Sequence, residues 1–217
     1  MKFKGKTDIV KAVQESLGVK GDGIDGPSTW KMIWENLVHR NEKTMTEAES
    51  WGNLKTEKLK GTYEEVYKRS PNQSGTIKPK YIVLHHSSGS HDGTRSWILD
   101  SRSKVSYHYL IAADGSLTQF VYDTKRAWHA GKSKWNGDSG LNGHSIGISF
   151  FGNTHKRTPC PAEIDSAAKK CIYLMGRFDI AIGDIVTHTM IAPGRKNDVS
   201  ESCYKAVVNR IKELVAS

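Results

Sequence analysis

The chain has 217 residues, 37% hydrophobic and 25% charged, enough for a medium globular domain and a smaller companion. Its 32 Lys and Arg outnumber 23 Asp and Glu for a net charge of +9, and residues 79–217 hold 18 of those cations against 12 acids. Such a surface suits an anionic polymer, but no basic cluster interleaved with aromatics marks a nucleic-acid face, and no apolar run is long enough for membrane insertion.

The opening residues, MKFKGKTDIVKAV, carry charge without an apolar centre, so no signal peptide is expected and synthesis would leave the protein in the cytoplasm until something releases it. Residues 1–40 read as a small all-helical module. Ile9, Val10, Val13 and Leu17 share one helical face, a Gly-rich turn follows, and Pro27 stands near the start of a second helix, where a missing N–H costs little. Residues 41–78 are polar and mixed in charge and read as a linker with partial helix. From residue 79 to 217 strands and helices interleave. YIVLHHSS is a buried strand, Thr94–Ser103 a helix, and SYHYLIAADGSLTQFVY a hairpin turning at Asp114-Gly115. SIGISFFG is a further strand, Glu163–Phe178 an amphipathic helix, DIVTH a last strand and Ser202–Val215 a closing helix. This predicts an α/β domain with a mixed central sheet flanked by helices. A monomer is expected. Three cysteines make no disulfide framework; Cys171 falls on an apolar helical stripe and Cys160 and Cys203 read as structural or incidental.

The stretch HTMIAPGRKND, His188–Asp198, concentrates chemistry. His188 follows a buried strand, Ala192-Pro193-Gly194 turns the chain, and Asp198 can return to the same point with Lys196 beside it. His and Asp are both zinc ligands, and a catalytic zinc takes three protein donors with a fourth position open. A strand, a turn and a solvated basic loop would give the same spacing. His85 ends the first buried strand as His188 ends the last, whereas His86 must point to the opposite face because side chains alternate. Only one of the pair can therefore bind the same metal, and His85 is the candidate third ligand.

Two resemblances extend this reading. VQESLGV and DGIDGPSTW resemble the three-helix peptidoglycan-binding modules, over about 35 residues. VLHHSS, VSYHYLIAADGSLTQFV, RAWHAGKS, NGHSIGISFFG and HTMIAPGRKND, in that order, resemble the zinc N-acetylmuramoyl-L-alanine amidases. That family includes phage endolysins, bacterial muropeptide-recycling amidases and animal peptidoglycan-recognition proteins. The resemblance implies one zinc held by His85, His188 and Asp198, with Lys196 catalytic. It implies substrate contacts from His129, facing the cleft, and from Asn142. The recycling branch carries a catalytic Glu in its Ser-Ile-Gly-Ile-Glu strand, but here the residue is Ser149. The short phage branch uses a Tyr before the His of its second strand, and Tyr107 matches it. Val199-Ser200 replaces the family's Pro-Gly after the acidic ligand.

The implied substrate is bacterial peptidoglycan. The bond cut would join the lactyl group of N-acetylmuramic acid to L-Ala of the stem peptide, by zinc-activated water. The leading expectation is an endolysin made in the host cytoplasm and acting on the wall after release. The alternatives are an inactive recognition protein, which retention of all three ligands disfavours, and a cytosolic recycling amidase, which Ser149 and the N-terminal module disfavour.

Overall fold

The computed structural model describes residues 66–216. The helical module expected over residues 1–40, and the linker as far as residue 65, lie outside the described residues. Ten strands occur: β1 (Val66–Tyr67), β2 (Gln73–Thr76), β3 (Tyr81–His86), β4 (Tyr109–Ile111), β5 (Leu117–Gln119), β6 (Lys125–Ala127), β7 (Lys134–Trp135), β8 (Asp138–Ser139), β9 (Ser145–Phe150) and β10 (Ile185–Thr187). Among the described residues four α-helices accompany them: α1 (His91–Leu99), α2 (Pro161–Phe178), the short α3 (His188–Ile191) and α4 (Glu201–Ala216). Six strands form one mixed sheet in the order β1-β5-β4-β9-β3-β10. Only the β4–β5 hairpin is antiparallel within it, turning at Asp114-Gly115 where Gly115 has φ +82°.

The centre of the sheet is the parallel pair β3–β9, in register from Tyr81↔Ser145 to His86↔Phe150 and buried at every position. In-register partners share a face, so alternation sorts the two strands into two chemistries. Ile82, Leu84, Ile146, Ile148 and Phe150 face α2 and α4 and merge with Ala167, Cys171, Leu174, Val207 and Ile211 into the main core. Each large side chain buried there contributes roughly 1.5–3 kcal/mol. The opposite face carries Val83, His85, Gly147 and Ser149. Loops rather than long helices cover it.

Local signals set the element ends. Ser90 caps α1, accepting the Gly93 N–H at 3.2 Å, and Asp100 turns extended at its end, so this helix starts earlier and stops earlier than Thr94–Ser103. Pro161 opens α2, Glu163 accepts the Cys160 N–H at 2.8 Å, and Asp179 ends the helix with φ +60°. Of the span read as linker, residues 66–78 are described, and they pair with the domain. β1 pairs with β5 and β2 with β6, while buried Ser70 and Asn72 donate to Ile98 O at 2.7 and 3.2 Å. These residues join the domain through backbone and polar bonds, which leave no apolar pattern in the sequence.

Candidate metal centre

Adjacent strands bring the expected ligands together. β10 pairs with β3 so that Thr187 lies opposite Leu84. His85, next along β3, therefore lies beside His188, which opens α3. Thr187 caps that helix by accepting the Met190 N–H at 3.1 Å. Asp198 returns from the loop after α3 and its carbonyl accepts the Thr189 N–H at 2.9 Å. Asp198 Oδ2 lies 3.0 Å from His85 Nδ1 and 3.1 Å from His188 Nδ1, and the two nitrogens are 3.1 Å apart. All three residues are buried, and among the described residues theirs is the one group of His, Cys, Asp or Glu arranged to hold a metal ion.

The donor chemistry fits a cation. His188 Nε2 faces Ala130 O at 3.1 Å. A carbonyl only accepts, and both protons of the nearby Arg195 Nη2 go to Ala130 O and Lys132 O, so His188 Nε2 carries the proton of that contact and Nδ1 is the nitrogen turned to the cluster. Burial pushes His85 down to about 4, so it is neutral at neutral pH. Burial alone would raise the Asp198 carboxyl, but its contacts with His188 and His85 outweigh this and hold it well below the usual carboxylate range. Two imidazole nitrogens and an ionised carboxylate oxygen thus converge on one point. Zinc with ligand distances near 2.0–2.2 Å places tetrahedral donors about 3.3–3.6 Å apart, a few tenths of an ångström wider than the 3.0–3.1 Å between these atoms.

The surrounding residues divide in two. The Tyr107 ring tilts against His85 with centroids 5.1 Å apart, and burial followed by the Asp198 charge pushes its phenol up to about 12, against a smaller opposing contact from Ser149. Lys196 is exposed at the edge, near enough for its charge to bear on His85. Ser149 sits opposite His85, fully buried, its hydroxyl donating to Phe150 O at 3.1 Å. His86 points to the other face, 2.9 Å from Thr154 Oγ1.

His129 is 8% exposed and lies beneath His85, its Nδ1 3.0 Å from His85 Nε2. Asn142 spends its side-chain oxygen on backbone, accepting from His129 N–H at 2.9 Å and Ala130 N–H at 2.7 Å. It also borders a cleft of about 770 Å³ with Arg126, Lys132, Lys134, Met190 and Pro193. Sequence reasoning passed over Ser145, Gly147 and Ala130. Only Gly147 left a trace, as a glycine inside a strand, which signals close approach of another group.

A family model described as N-acetylmuramoyl-L-alanine amidase matches residues 75–201, a span that contains the whole cluster. This chain belongs to the N-acetylmuramoyl-L-alanine amidase family. Within that family it is 30% identical over 141 residues to N-acetylmuramoyl-L-alanine amidase AmiD of Escherichia coli, covering 58% of this chain and 50% of that protein. It is 37% identical over 99 residues to 1,6-anhydro-N-acetylmuramyl-L-alanine amidase AmpD of Citrobacter freundii, covering 46% and 52%. The chain thus spans about half the length of the curated relatives it matches. Among solved structures, AmpD superposes with a TM-score of 0.57 at 27% identity, over 66% of this chain and 94% of that one. An endolysin amidase from Clostridium intestinale, LysCS, shares the fold at 21% identity, with a TM-score of 0.50 over 68% of this chain and 97% of that one. No helix among the described residues is long and apolar enough to cross a membrane.

Proposed function

We propose that this chain is a zinc-dependent N-acetylmuramoyl-L-alanine amidase that hydrolyses the amide between the muramic acid lactyl group and L-Ala of peptidoglycan. One observation carries the reading: two imidazole nitrogens and one carboxylate oxygen, all buried, converge on one point in a chain of this family. His85, His188 and Asp198 would hold the ion. When bound, zinc supplies a Lewis acid that polarises the scissile carbonyl and lowers the pKa of water.

The chain's own residues do the rest. Tyr107 keeps its proton at neutral pH, so its hydroxyl is a hydrogen-bond donor for the oxyanion that forms as the carbonyl is attacked. The Lys196 ammonium adds positive charge at the edge of the same site. Ser149 has neither charge nor an acidic proton and is already bonded to Phe150 O, so it takes no acid–base part. The amine that leaves with L-Ala needs one proton; the attacking water supplies it, and Tyr107 Oη would relay it and end the step protonated.

Two biological settings fit this chemistry. The peptidoglycan-binding pattern over residues 1–40 and Ser149 at the recycling branch's Glu position favour an endolysin that acts on intact wall. The sequence likeness to AmpD, a 1,6-anhydro-N-acetylmuramyl-L-alanine amidase, favours a recycling amidase. Mass spectrometry of intact sacculi and of soluble anhydro-muropeptide after incubation separates them. New L-Ala amino termini, lost with chelator and restored by zinc, are expected from both substrates, and faster from sacculi. Products cut only at glycosidic bonds or peptide cross-links would refute the amidase reading.

A further inference from the structure

We infer that His129 and Asn142 are positioning residues for the metal cluster: the loop Trp128–Gly131 sets the tautomer of both histidine ligands. This rests on the zinc reading above and concerns which nitrogen of each ligand carries its proton.

His188 Nε2 lies 3.1 Å from Ala130 O and 3.3 Å from Arg195 Nη2. Arg195 Nη2 has two protons and donates them to Ala130 O and Lys132 O at 2.7 Å each, so the proton between His188 and Ala130 belongs to His188 Nε2. His85 turns its own Nε2 to His129 Nδ1 at 3.0 Å. The direction of that bond is settled one step further out. Ser145 Oγ donates to Leu141 O at 2.6 Å, which leaves its oxygen as acceptor for His129 Nε2 at 3.5 Å. His129 therefore holds its proton on Nε2 and offers a lone pair at Nδ1, so His85 must donate through Nε2. Both ligands then present a bare Nδ1 to the cluster. Either one with its proton moved would aim an N–H at the metal instead.

The two outward acceptors, His129 Nδ1 and Ala130 O, come from consecutive residues of one loop. Asn142 Oδ1 pins that loop by accepting both of its backbone N–H groups. Arg195 ties it from the other side, donating to Ala130 O and Lys132 O at 2.7 Å each. Gly147 makes the room. A Cβ there would lie 2.7 Å from the His129 ring, so His129 can sit beneath His85 only over a glycine. Groups that orient a metal-bound imidazole typically change metal affinity 10–100-fold when removed.

The test is zinc affinity of the metal-free chain by competition with a chromogenic chelator, together with the visible spectrum of the cobalt-loaded protein. His129→Leu should weaken zinc by about 10–100-fold and alter the cobalt bands while circular dichroism stays native. His129→Asn, whose side-chain oxygen replaces the Nδ1 acceptor, should restore most of the affinity. Asn142→Leu should follow His129→Leu, and Asn142→Asp should retain binding. His85→Ala is the control for the parent reading and should abolish binding. If His129→Leu binds zinc as wild type while raising KM for muropeptide, and His85→Ala binds none, the positioning role is overturned and His129 returns to the substrate. If His85→Ala also binds zinc normally, the metal reading itself has failed.

Discussion

The two faces of the β3–β9 pair are built from the same twelve residues, yet they solve opposite problems. Facing α2 and α4, Ile82, Leu84, Ile146, Ile148 and Phe150 join a core in which any apolar side chain of suitable volume will serve. On the other face, His85, Ser149 and Ser145, with His108 and His129 packed nearby, form an interior where each polar atom needs one particular partner. His85 and His86 show the divide in one step of chain. The first joins the cluster with His188 and Asp198, while the second leaves on the helix side to Thr154. Stability resides mainly in the first face and chemistry in the second. Four substitutions or conditions can break that division.

The largest effect should come from the apolar face. Phe150→Ala empties a fully buried position and should cost about 3–5 kcal/mol in denaturant unfolding. Zinc affinity measured under native conditions should not change. A parallel loss of affinity would mean that the faces are coupled rather than separate.

Acid should act on the polar face. Burial pushes His108 down to about 4, with its Nδ1 accepting the Gly147 N–H at 2.9 Å and its Nε2 donating to Lys125 O at 2.9 Å. Unfolded, it titrates near 6.5, so between those values the unfolded chain binds the extra proton. The stability is complete above about pH 6.5, declines as pH falls, and is lost below about 4, by roughly 3 kcal/mol for this residue. His85 and His129 shift in the same direction and steepen the slope in metal-free protein. Urea midpoints at pH 7.5 and 5 check this, and His108→Gln should flatten the difference.

Tyr107→Phe should lower kcat about 100-fold with zinc still bound, the scale of a lost oxyanion donor. Ser149→Ala should change turnover little. Reversed outcomes would transfer the role to the strand position.

Gly147→Ala should cost roughly 1–3 kcal/mol, as overpacking does, because the new methyl meets the His129 ring. It should weaken zinc as well. A stability loss with unaltered zinc affinity would separate the glycine from the cluster.

What the sequence revealed follows the same division. The apolar runs YIVL, SIGISF and DIV and the 3.6-residue stripe of α2 are one-dimensional patterns, so the central strands and long helices were legible. His85, His188 and Asp198 could be placed because strand ends and a turn are also local signals. The dipeptide strands β1, β7 and β8 and the polar strands β2 and β6 were not. They hold by backbone pairing and are too short or too rich in Lys, Arg, Gln and Ser to show an alternating pattern. His129 and Asn142 were singled out through the family pattern, which names residues without saying what lies beneath them. That His129 stacks over Gly147 and bonds His85 is a contact across 18 and 44 positions of chain, and no spacing rule encodes it.

The most direct test is the metal content of three purified proteins after dialysis against limiting zinc. Wild type and His86→Ala should each retain one zinc per chain, and His85→Ala should retain none. Zinc kept by His85→Ala and lost from His86→Ala would place the metal on the helix side of the sheet and contradict the account.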